Sequence, residues 1–491
     1  MPLSSIQPET LSSAERVELR PREYARARTQ YWDEFAARLP QRWAGLRRYY
    51  LQRLAACYEF LIPKGSRVLE LGCGQGDLLA ALKPSHGVGV DFSKSMLEQA
   101  RARYPHLTFV EADVHGLELE DKFDVIILSD LVNDLWDVQQ VLRQVRKHCH
   151  RDTRIILNTY SRVWELPRRV AEALGIARPQ LAQNWLTTAD LLNLLNLSGF
   201  EPIRESGEIL MPVRIPVVSA LANRYLARLW PFRSLVLTWF VVARVKPEPL
   251  PTDPVVSVVV AARNEEGNIP AIFRRVPRMG AKTELVFVEG GSKDDTWGAI
   301  EREIARHPYV SAKLIRQSGK GKGDAVRAGF DVAEGDILMI LDADMTVAPE
   351  DLPRFYESVR DGTAEFANGV RLVYPMDERA MRFFNHLGNR FFSLAFSWLL
   401  GQRIKDTLCG TKVMRRAHYQ QIAANRSYFG DFDPFGDFDL IFGAAKLNLK
   451  IVDVPIRYRE RTYGETNIQR WRHGMILLRM VIYAMRRIKF I

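Results

Sequence analysis

The sequence has no long uncharged apolar stretch. A membrane-spanning helix needs roughly 18 to 20 such residues, and charges interrupt every apolar run of the 491 residues sooner than that. The first thirty residues carry Glu and Arg throughout and lack the apolar region of a secretory signal. We therefore expect a protein that neither spans a membrane nor is exported.

Cysteine is also scarce. The four cysteines, Cys57, Cys73, Cys149 and Cys409, are scattered, and no two have the spacing of metal ligands. This usage suits a reducing compartment and argues against a disulfide framework. The expected location is cytoplasmic.

Acidic residues are fewer than basic ones, which indicates an anionic partner. The net charge is +11 and the pI is near 9.4, so nucleic acid, a phospholipid surface and a phosphorylated substrate all stay open on charge alone. From residue 455 onward nine Lys or Arg stand against two Glu. Because this excess lies beside amphipathic segments, no nucleic-acid partner is expected.

Two segments have the pattern of helices that lie on a membrane surface. Residues 381–401 place Phe384, Leu387, Phe391, Leu394 and Trp398 on one helical face. The tail 470–491 is apolar, basic and tryptophan-bearing, which is typical of an interfacial helix on anionic lipid. The alternative is a pair of core helices with solvated faces. The first interpretation predicts a peripheral protein on the cytoplasmic face of the membrane.

A proline-rich stretch divides the chain, which is too long for one ordinary core. It predicts a first domain over 1–243, a linker over 244–254 and a second domain over 255–491. In both halves β-branched runs alternate with helical patterns, which predicts an α/β fold with mostly parallel sheets. Strands are expected at 67–72, 87–91, 107–113, 123–129, 154–160, 235–244, 255–263, 284–290, 312–316, 337–344 and 366–373.

A glycine-rich turn follows the first predicted strand. Gly72, Gly74 and Gly76 allow the backbone to turn sharply and approach a ligand. Asp91 ends the next strand, where a carboxylate can hold ribose hydroxyls, and Asp113 ends the third. Alone, the turn fits a dinucleotide site or a plain tight turn equally well.

With Glu70 before the glycines, residues 30–245 resemble the class I S-adenosylmethionine-dependent methyltransferases. The resemblance implies S-adenosylmethionine as cofactor, with Asp91 on its ribose and Asp113 on its adenine. The glycine spacing is tighter than in the dinucleotide fingerprint of Rossmann dehydrogenases. The residues that it assigns to the cofactor are Glu70, Gly72, Gly74, Gly76, Asp91, Asp113 and Ser129.

The methyl acceptor is expected just beyond the fourth strand. Ser129, Asp130 and Asn133 lie there, where acceptors usually bind in this family. We expect an oxygen of a sugar or lipid-linked glycan. Two alternatives stay open: these residues cap a helix, or the domain binds the donor without catalysis.

In the second half, Asp342 and Asp344 end an apolar strand one residue apart. Two such carboxylates repel each other, and a Mg²⁺ or Mn²⁺ ion between them would explain the pair. The alternative is solvated loop acids or a helix cap.

Other strand ends carry residues suited to a nucleotide. Ser292 with Asp295 predicts a capping box, and the glycine-rich stretch with Lys320 and Lys322 predicts a loop that faces phosphate. The candidate nucleotide contacts are Arg263, Asn264, Glu265, Glu289, Lys320 and Lys322.

Residues 254–491 resemble the family 2 glycosyltransferases of the GT-A fold, above all the dolichyl-phosphate and bacterial polyprenyl-phosphate sugar synthases. Asp342 and Asp344 match the metal motif D-x-D. Four other segments match, at Asp406, Cys409, Gly410 and Lys412, at Asp437 and Asp439, at Arg371, and at Arg461 and Gly464.

The sequence departs from this family at two places. Glu289 and Gly290 stand where two aspartates are usual, which leaves the choice of UDP or GDP open. Thr466 and Asn467 replace a Ser-Lys pair, so Arg459 or Arg470 is expected to supply the positive charge.

The two resemblances imply two doubly wound α/β domains, a Rossmann-like methyltransferase and a GT-A glycosyltransferase, with amphipathic helices at the C-terminus. They imply metal-dependent, inverting sugar transfer from a nucleotide sugar to a polyprenyl phosphate or related lipid-linked acceptor. Arg371 and Arg461 would position the acceptor phosphate, and Lys412 is assigned to substrate binding. A hydroxyl acceptor is the alternative and would need a base. The candidate bases are Asp406, Asp437 and Asp439.

Overall fold

The structure is a computed structural model. The chain divides into two compact units, Met1–Lys246 and Pro247–Ile491. The described residues are 13–37, 45–175, 181, 183–250, 252–371, 383–429, 436–459, 463 and 470–490.

The first unit is built on a seven-stranded mixed sheet, counted over its described residues. Its strands are β1 Arg67–Leu71, β2 His86–Asp91, β3 Thr108–Glu111, β4 Phe123–Leu128, β5 Cys149–Tyr160, β6 Phe200–Ile209 and β7 Thr238–Val245.

The strand order is β3-β2-β1-β4-β5-β7-β6. The first five strands of this order run parallel, and β7 is antiparallel to both β5 and β6. The predicted strands omit β6, because its sequence contains Pro202 and several charged residues and does not alternate cleanly. Such a sequence is tolerated at the edge of a sheet, where β6 lies.

Helices flank this sheet and connect its parallel strands. Leu69 and Ile126, at the centre of the sheet, are completely buried, and burying side chains of this size stabilises the fold by about 1.5–3 kcal/mol each. The helices are α1 Ser13–Ala36, α2 Gly45–Leu61, α3 Asp77–Leu82, α4 Lys94–Arg103, α5 Val138–Lys147, α6 Glu165–Ala173, α7 Thr188–Leu197 and α8 Val218–Arg224.

The second unit also has a mixed sheet with seven strands among its described residues. Its strands are β8 Val255–Ala262, β9 Lys282–Glu289, β10 Ser311–Arg316, β11 Ile337–Asp342, β12 Phe366–Val370, β13 Lys412–Arg415 and β14 Ile451–Pro455.

The order of these strands is β10-β9-β8-β11-β13-β12-β14. The first four are parallel, whereas β13 is antiparallel to β11 and β12. The α/β class is therefore confirmed, with both sheets mixed. The helices are α9 Ile269–Arg275, α10 Thr296–Arg306, α11 Lys322–Val332, α12 Leu352–Arg360, α13 Phe383–Leu400, α14 Arg416–Ala424, α15 Asp437–Lys446 and α16 Arg470–Ala484.

Among the described residues, every helix is too short or too polar to reach across a bilayer. The carboxyl ends of the parallel strands β1, β2 and β4 meet at one edge of the first sheet, and those of β8, β9 and β11 meet at one edge of the second. Open α/β sheets bind ligands at this edge.

Candidate active sites at the carboxyl ends of the two sheets

The turn between β1 and α3 is tight because of its glycines. Gly72 N–H donates to the Val90 carbonyl at 2.8 Å and Gly76 N–H to the Cys73 carbonyl at 2.9 Å. Gly72 and Gly76 have φ of +69° and +74°, a region that other residues rarely adopt. A Cβ at Gly72 would also collide with Leu131, at 2.8 Å.

Asp91, at the end of β2, is held against this turn. Its two carboxylate oxygens accept hydrogen bonds from Gly74 N–H and Ser93 N–H, both at 2.9 Å. Burial raises the pKa of Asp91 above its usual value, although these backbone donors work against the shift. The carboxylate is thus fixed in position with its charge poorly solvated.

Glu70 is a second buried acid beside the turn. Burial raises the pKa of Glu70 well above its usual range, and its Oε2 atom has no hydrogen-bond partner among the described residues. A buried polar atom without a partner costs about 1–3 kcal/mol. Glu70 is therefore prepared to receive a donor from a ligand.

A cavity of about 560 Å³ opens at this edge of the first sheet. Residues that the sequence predicts to bind the cofactor line this cavity, together with side chains from α1. The lining includes Glu70, Gly72, Gly74, Asp91, Asp113, Ser129 and Asp130. All the residues predicted to bind the cofactor therefore line this cavity, except Gly76, which shapes the glycine turn.

Asp113 already has a partner on its own turn. Its Oδ1 accepts hydrogen bonds from His115 N–H at 2.9 Å and pairs with the His115 ring at 2.7 Å. The His115 side chain lowers the pKa of Asp113. Asp113 lines the cavity as an ionised acid that also caps a short 3-10 turn.

Helix α1 covers part of the cavity, and the predicted site residues include none of its side chains. Arg28 donates from Nε to the Asp134 carbonyl at 2.8 Å, and Tyr24 O–H donates to the same carbonyl at 3.2 Å. The Tyr24 ring packs edge-on against Trp136 with 5.1 Å between ring centroids. Tyr24, Arg28 and Trp32 follow one another at intervals of four residues. This spacing could have predicted from the sequence that they share the face of α1 that covers the cavity.

Beyond β4, Asp130 lies in a network of hydroxyl and amide donors. Tyr50 O–H lies 2.9 Å from both Asp130 oxygens, and Asn158 Nδ2 donates to Oδ1 at 2.5 Å. Asp130 has φ of +51°, a conformation that is uncommon outside glycine and often marks functional sites. Asn133, by contrast, is fully buried and bonds the Asn184 carbonyl at 2.7 Å, which is a structural contact.

In the second unit, Asp342 ends β11 and faces a cation. Lys322 Nζ, in the first turn of α11, lies 2.5 Å from Asp342 Oδ1. Burial would raise the pKa of Asp342, yet Lys322 and nearby cations hold it below its usual value. Asp344 is fixed by its own turn, since its Oδ1 accepts from Thr346 N–H at 3.1 Å and Thr346 O–H at 2.9 Å.

Three glycines allow this close arrangement. A Cβ at Gly410 would collide with the side chains of Asp342 and Lys322. A Cβ at Gly323 would lie 2.7 Å from the Cα of Gly436, so the first turns of α11 and α15 approach backbone to backbone. This approach brings the start of α15 beside the residue that follows Lys322.

Arg371 and Asp406 form a buried bidentate ion pair. Arg371 Nε and Nη2 donate to the two Asp406 oxygens at 2.7 and 2.9 Å. Burial would raise the pKa of Asp406, but Arg371 lowers it below its usual value. Leu408 N–H donates to Oδ1 at 3.0 Å, so both carboxylate oxygens are engaged.

Two other predicted residues lie beneath the surface. Lys412 is completely buried, and its ammonium donates to the Cys409 carbonyl. Asp439 accepts from Arg426 Nε at 2.8 Å. Both side chains are therefore held by protein partners, and neither is exposed to a ligand in this arrangement.

The capping box expected at Ser292 and Asp295 is wrong. Asp295 caps α10 itself and accepts from Gly298 N–H at 3.2 Å. Ser292 N–H instead donates to Glu289 Oε1 at 2.5 Å, while its hydroxyl accepts from Asn264 N–H at 3.0 Å. The Glu289 carboxylate thus holds Ser292, and the Ser292 hydroxyl in turn links the ends of β8 and β9.

The remaining predicted nucleotide contacts differ in exposure. Arg263, Asn264 and Lys320 are exposed, whereas Glu265 is buried and accepts from Asn268 Nδ2 at 2.7 Å. Arg461, like Gly464, lies outside the described residues, as does the side chain of Asp437.

Comparison with known proteins identifies a domain in each unit. Residues 62–196 match the family described as a methyltransferase domain, and residues 257–423 match glycosyl transferase family 2.

Two curated relatives are sugar transferases by name. The undecaprenyl-phosphate 4-deoxy-4-formamido-L-arabinose transferase of Pseudomonas paraeruginosa is 27% identical over 223 residues, or 45% of this chain and 61% of its own length. The dolichol-phosphate mannosyltransferase of Pyrococcus furiosus is 28% identical over 219 residues, or 44% and 59%. The chain thus spans about three fifths of the length of these relatives.

Among solved structures, an S-adenosylmethionine-dependent methyltransferase from Mesorhizobium loti is similar to 38% of the chain, with 22% identity, a TM-score of 0.32 and 96% of its own length covered. The chain therefore carries a region of the methyltransferase-domain family, followed by a region of glycosyl transferase family 2.

Proposed function

We propose that the second unit transfers a sugar from a nucleotide sugar to a polyprenyl phosphate at a membrane surface, with inversion at the anomeric carbon. We propose also that the first unit transfers a methyl group from S-adenosylmethionine to an oxygen of a sugar or lipid-linked glycan. The names of the relatives, which specify undecaprenyl-phosphate and dolichol-phosphate transferases, support the first part.

One observation carries the sugar-transfer proposal. The carboxylate of Asp342 lies at the end of β11 with a lysine ammonium 2.5 Å away, and Gly410 lets both side chains approach its backbone. A carboxylate that already pairs with a lysine ammonium at a strand end can also bind a divalent cation, which prefers carboxylate oxygens. The residues present thus fit a divalent metal ion.

Asp342 and Asp344 would hold Mg²⁺ or Mn²⁺, both of which prefer carboxylate oxygens. When bound there, the ion would stabilise the charge of the departing nucleoside diphosphate. Lys322 lies on the first turn of α11, so its ammonium is placed to contact a phosphate once Asp342 has another partner. Arg263 and Lys320 add exposed positive charge at the same edge.

The arrangement of the acids favours an acceptor that needs no base. Arg371 lowers the pKa of Asp406 and occupies both of its oxygens. Asp439 is engaged by Arg426. A phosphate monoester, whose second pKa is near 6, is largely dianionic at neutral pH and can attack the anomeric carbon directly. These ion pairs engage two of the three candidate bases, the side chain of Asp437 lying outside the described residues, and so favour a phosphate acceptor over a hydroxyl acceptor.

Two helices supply an apolar surface for such a lipid acceptor. On α13, Phe391 and Leu394 are 55% and 66% exposed, and on α16 Met475 and Ile482 are 56% and 45% exposed. Lys489 donates to the Trp398 carbonyl at 2.7 Å and lies over the Trp398 ring. Exposed apolar side chains beside basic residues support a peripheral site on anionic lipid at the cytoplasmic face.

The cavity of the first unit fits S-adenosylmethionine in its size and in its donors and acceptors. The orphaned Oε2 of Glu70 can accept from the ammonium of the donor's methionine part. The Asp91 carboxylate, fixed by Gly74 and Ser93, can accept from ribose hydroxyls. The bound donor would supply an electrophilic methyl group on sulfur, and Arg28 and Tyr24 would keep water from that face.

Asp130 is the residue that we assign to the methyl acceptor. Burial and the Asp130 charge raise the pKa of Tyr50 well above its usual value, so Tyr50 stays protonated and keeps donating to Asp130. Held in this way at the cavity wall, Asp130 can accept a hydrogen bond from an acceptor hydroxyl and take its proton.

A donor screen tests the sugar-transfer proposal. The full-length protein is incubated with polyprenyl phosphate, Mn²⁺ or Mg²⁺, and UDP- or GDP-linked hexoses. The mass of the lipid product is then measured by mass spectrometry. A lipid-phosphate hexose is expected. No product with any donor, or transfer only to a hydroxyl-bearing glycan, would contradict the proposal.

The same reaction with labelled S-adenosylmethionine tests the methyl transfer. A gain of one methyl group in a glycan or lipid-linked sugar is expected. Donor binding with no labelled product, across glycan and lipid acceptors, would instead indicate a binding module without catalysis.

A further inference from the structure

The segment between β6 and β7, residues 210–237, turns apolar side chains outward and polar ones inward. On α8, Val218 and Leu221 are 50% and 51% exposed, whereas Ser219 and Asn223 are buried. A helix on an ordinary water-facing surface has the reverse arrangement.

Hydrogen bonds hold this orientation in place. Asn223 Oδ1 accepts from Leu210 N–H and Met211 N–H, both at 2.8 Å, and its Nδ2 donates to the Met211 carbonyl at 2.8 Å. Ser219 O–H donates to the Val213 carbonyl at 2.6 Å. Since rotation of α8 would break these bonds, the outward apolar face is a fixed feature.

Helix α6 has a second outward apolar stripe. Leu166, Val170 and Leu174 follow each other at intervals of four residues and are 71%, 50% and 68% exposed. Trp164 Nε1, just before α6, donates to the Leu235 carbonyl at 3.0 Å. This bond places the start of α6 beside the end of the 210–237 segment.

The most exposed large apolar side chain of the segment is Trp230, at 88%. We call Leu166, Val170, Leu174, Val218, Leu221 and Trp230 the outward apolar surface. Soluble proteins rarely leave so many large apolar side chains facing water unless something covers them.

The 210–237 part of this surface has charge of one sign only, whereas on α6 Glu165 and Glu172 pair with Arg169 and Arg168. Residues 209–247 contain no Asp or Glu. Arg214 and Arg224 of the segment are exposed, while Arg228 is buried in an ion pair with Glu208. Exposed tryptophan and apolar side chains bordered by arginine match the interface of an anionic bilayer.

We propose that the outward apolar surface docks the methyltransferase unit on an anionic phospholipid bilayer. This inference rests on the proposed membrane association and deepens it, because it gives the first unit a docking surface of its own, separate from α13 and α16.

Vesicle flotation of the full-length protein tests the inference. The variant Leu221→Ser/Trp230→Ser and the variant Leu166→Ser/Val170→Ser are compared with Leu197→Ser. Leu197 is 59% exposed on α7 and lies outside the outward apolar surface, so it is the matched control. Unchanged affinity for S-adenosylmethionine shows that each variant is folded.

On vesicles containing phosphatidylglycerol we expect each double variant to bind at least tenfold more weakly, with Leu197→Ser unchanged and little binding of any form to pure phosphatidylcholine. If the unaltered protein does not float with anionic vesicles, the proposed membrane association fails and this inference with it. If the unaltered protein and both double variants float equally, this inference alone is overturned.

A second readout separates lipid from a protein partner. Brominated phosphatidylglycerol should quench tryptophan fluorescence of the unaltered protein more than that of Trp230→Phe. Equal quenching would overturn the inference. So would a self-association in solution that the double variants abolish while vesicle binding persists, because the surface would then join two copies of the chain.

Discussion

The two sheets share the order of their first four strands, but the pKa values of the acids near their carboxyl ends shift in opposite directions. At the edge of the first sheet, burial raises the pKa of Glu70 and of Asp91. At the edge of the second, neighbouring cations lower the pKa of Asp342 and of Asp406. Similar sheets therefore surround their acids with different partners, and those partners decide which ligand each site suits.

This difference fits the two proposed donors. A ligand that carries a positive charge and hydroxyl groups can donate hydrogen bonds to Glu70 and Asp91, which are buried and have few donors around them. A ligand that carries a diphosphate needs cations, and the second site holds its acids ionised among lysine and arginine. We expect the following changes to test that contrast.

Replacing Asp344 should have the largest effect. Asp344→Ala is expected to reduce sugar transfer by about 10²- to 10³-fold, because loss of one electrostatic stabiliser of developing charge costs that order. Binding of S-adenosylmethionine should be unchanged. Glu357→Ala, an exposed acid on α12, is the control. Retained transfer in Asp344→Ala would rule out a metal ion at this position.

Breaking the Arg371–Asp406 pair should destabilise the second unit. Asp406→Asn is expected to lower the free energy of unfolding by about 3 kcal/mol, since it leaves a buried guanidinium uncompensated. Asp361→Asn removes the partner of Arg360 in an exposed pair of similar length, 2.8 Å, and should cost under about 1 kcal/mol. Denaturant unfolding measures both, and equal losses would contradict the account.

The pH dependence of that loss has a definite sign. Because the folded-state pKa of Asp406 is depressed, its contribution is complete above its unfolded pKa of about 3.9 and is lost as pH falls toward the folded value. The stability gap between the unaltered protein and Asp406→Asn should therefore narrow only below about pH 4.

Gly74→Arg should weaken donor binding by more than about 100-fold, or about 2.7 kcal/mol. A Cβ at Gly74 meets no protein atom within 4 Å, so the new side chain would project into the cavity. Gly65→Arg is a close control, since Gly65 also has a positive φ and open space but lies outside the cavity lining. Isothermal titration with S-adenosylmethionine compares them, and equal affinities would refute the site.

Removing the hydrogen bond that Arg28 of α1 donates to Asp134 should have the smallest effect on binding of the methyl donor. Arg28→Ala loses a charged hydrogen bond to the Asp134 carbonyl and is expected to weaken donor binding about tenfold. Arg26→Ala changes an exposed arginine on the same helix and should leave the affinity unchanged. A donor affinity that is equal in the two variants would remove α1 from the site.

The local part of each site could be predicted from sequence. The glycine turn with Asp91, and Asp342 with Asp344, follow apolar strands, and parallel strands place their carboxyl ends at one edge. A residue that follows a predicted parallel strand can therefore be placed at this edge from the sequence alone.

What the sequence could not show is pairing over distance. Arg371 and Asp406 are 35 residues apart and meet only because β12 and β13 are neighbours in the sheet. Ser292 had a helix-capping spacing, but Glu289 offered it a stronger acceptor. The polar inward face of α8 was hidden in the same way, since its partners are backbone groups of residues 210–215.

Titration of nucleotide and methyl donor into one sample, with and without chelator, tests the contrast between the sites most directly. We predict that UDP or GDP binds the full-length protein in Mn²⁺ and loses its affinity in EDTA, while S-adenosylmethionine binds equally in both. Nucleotide affinity that is unchanged by EDTA would contradict the account.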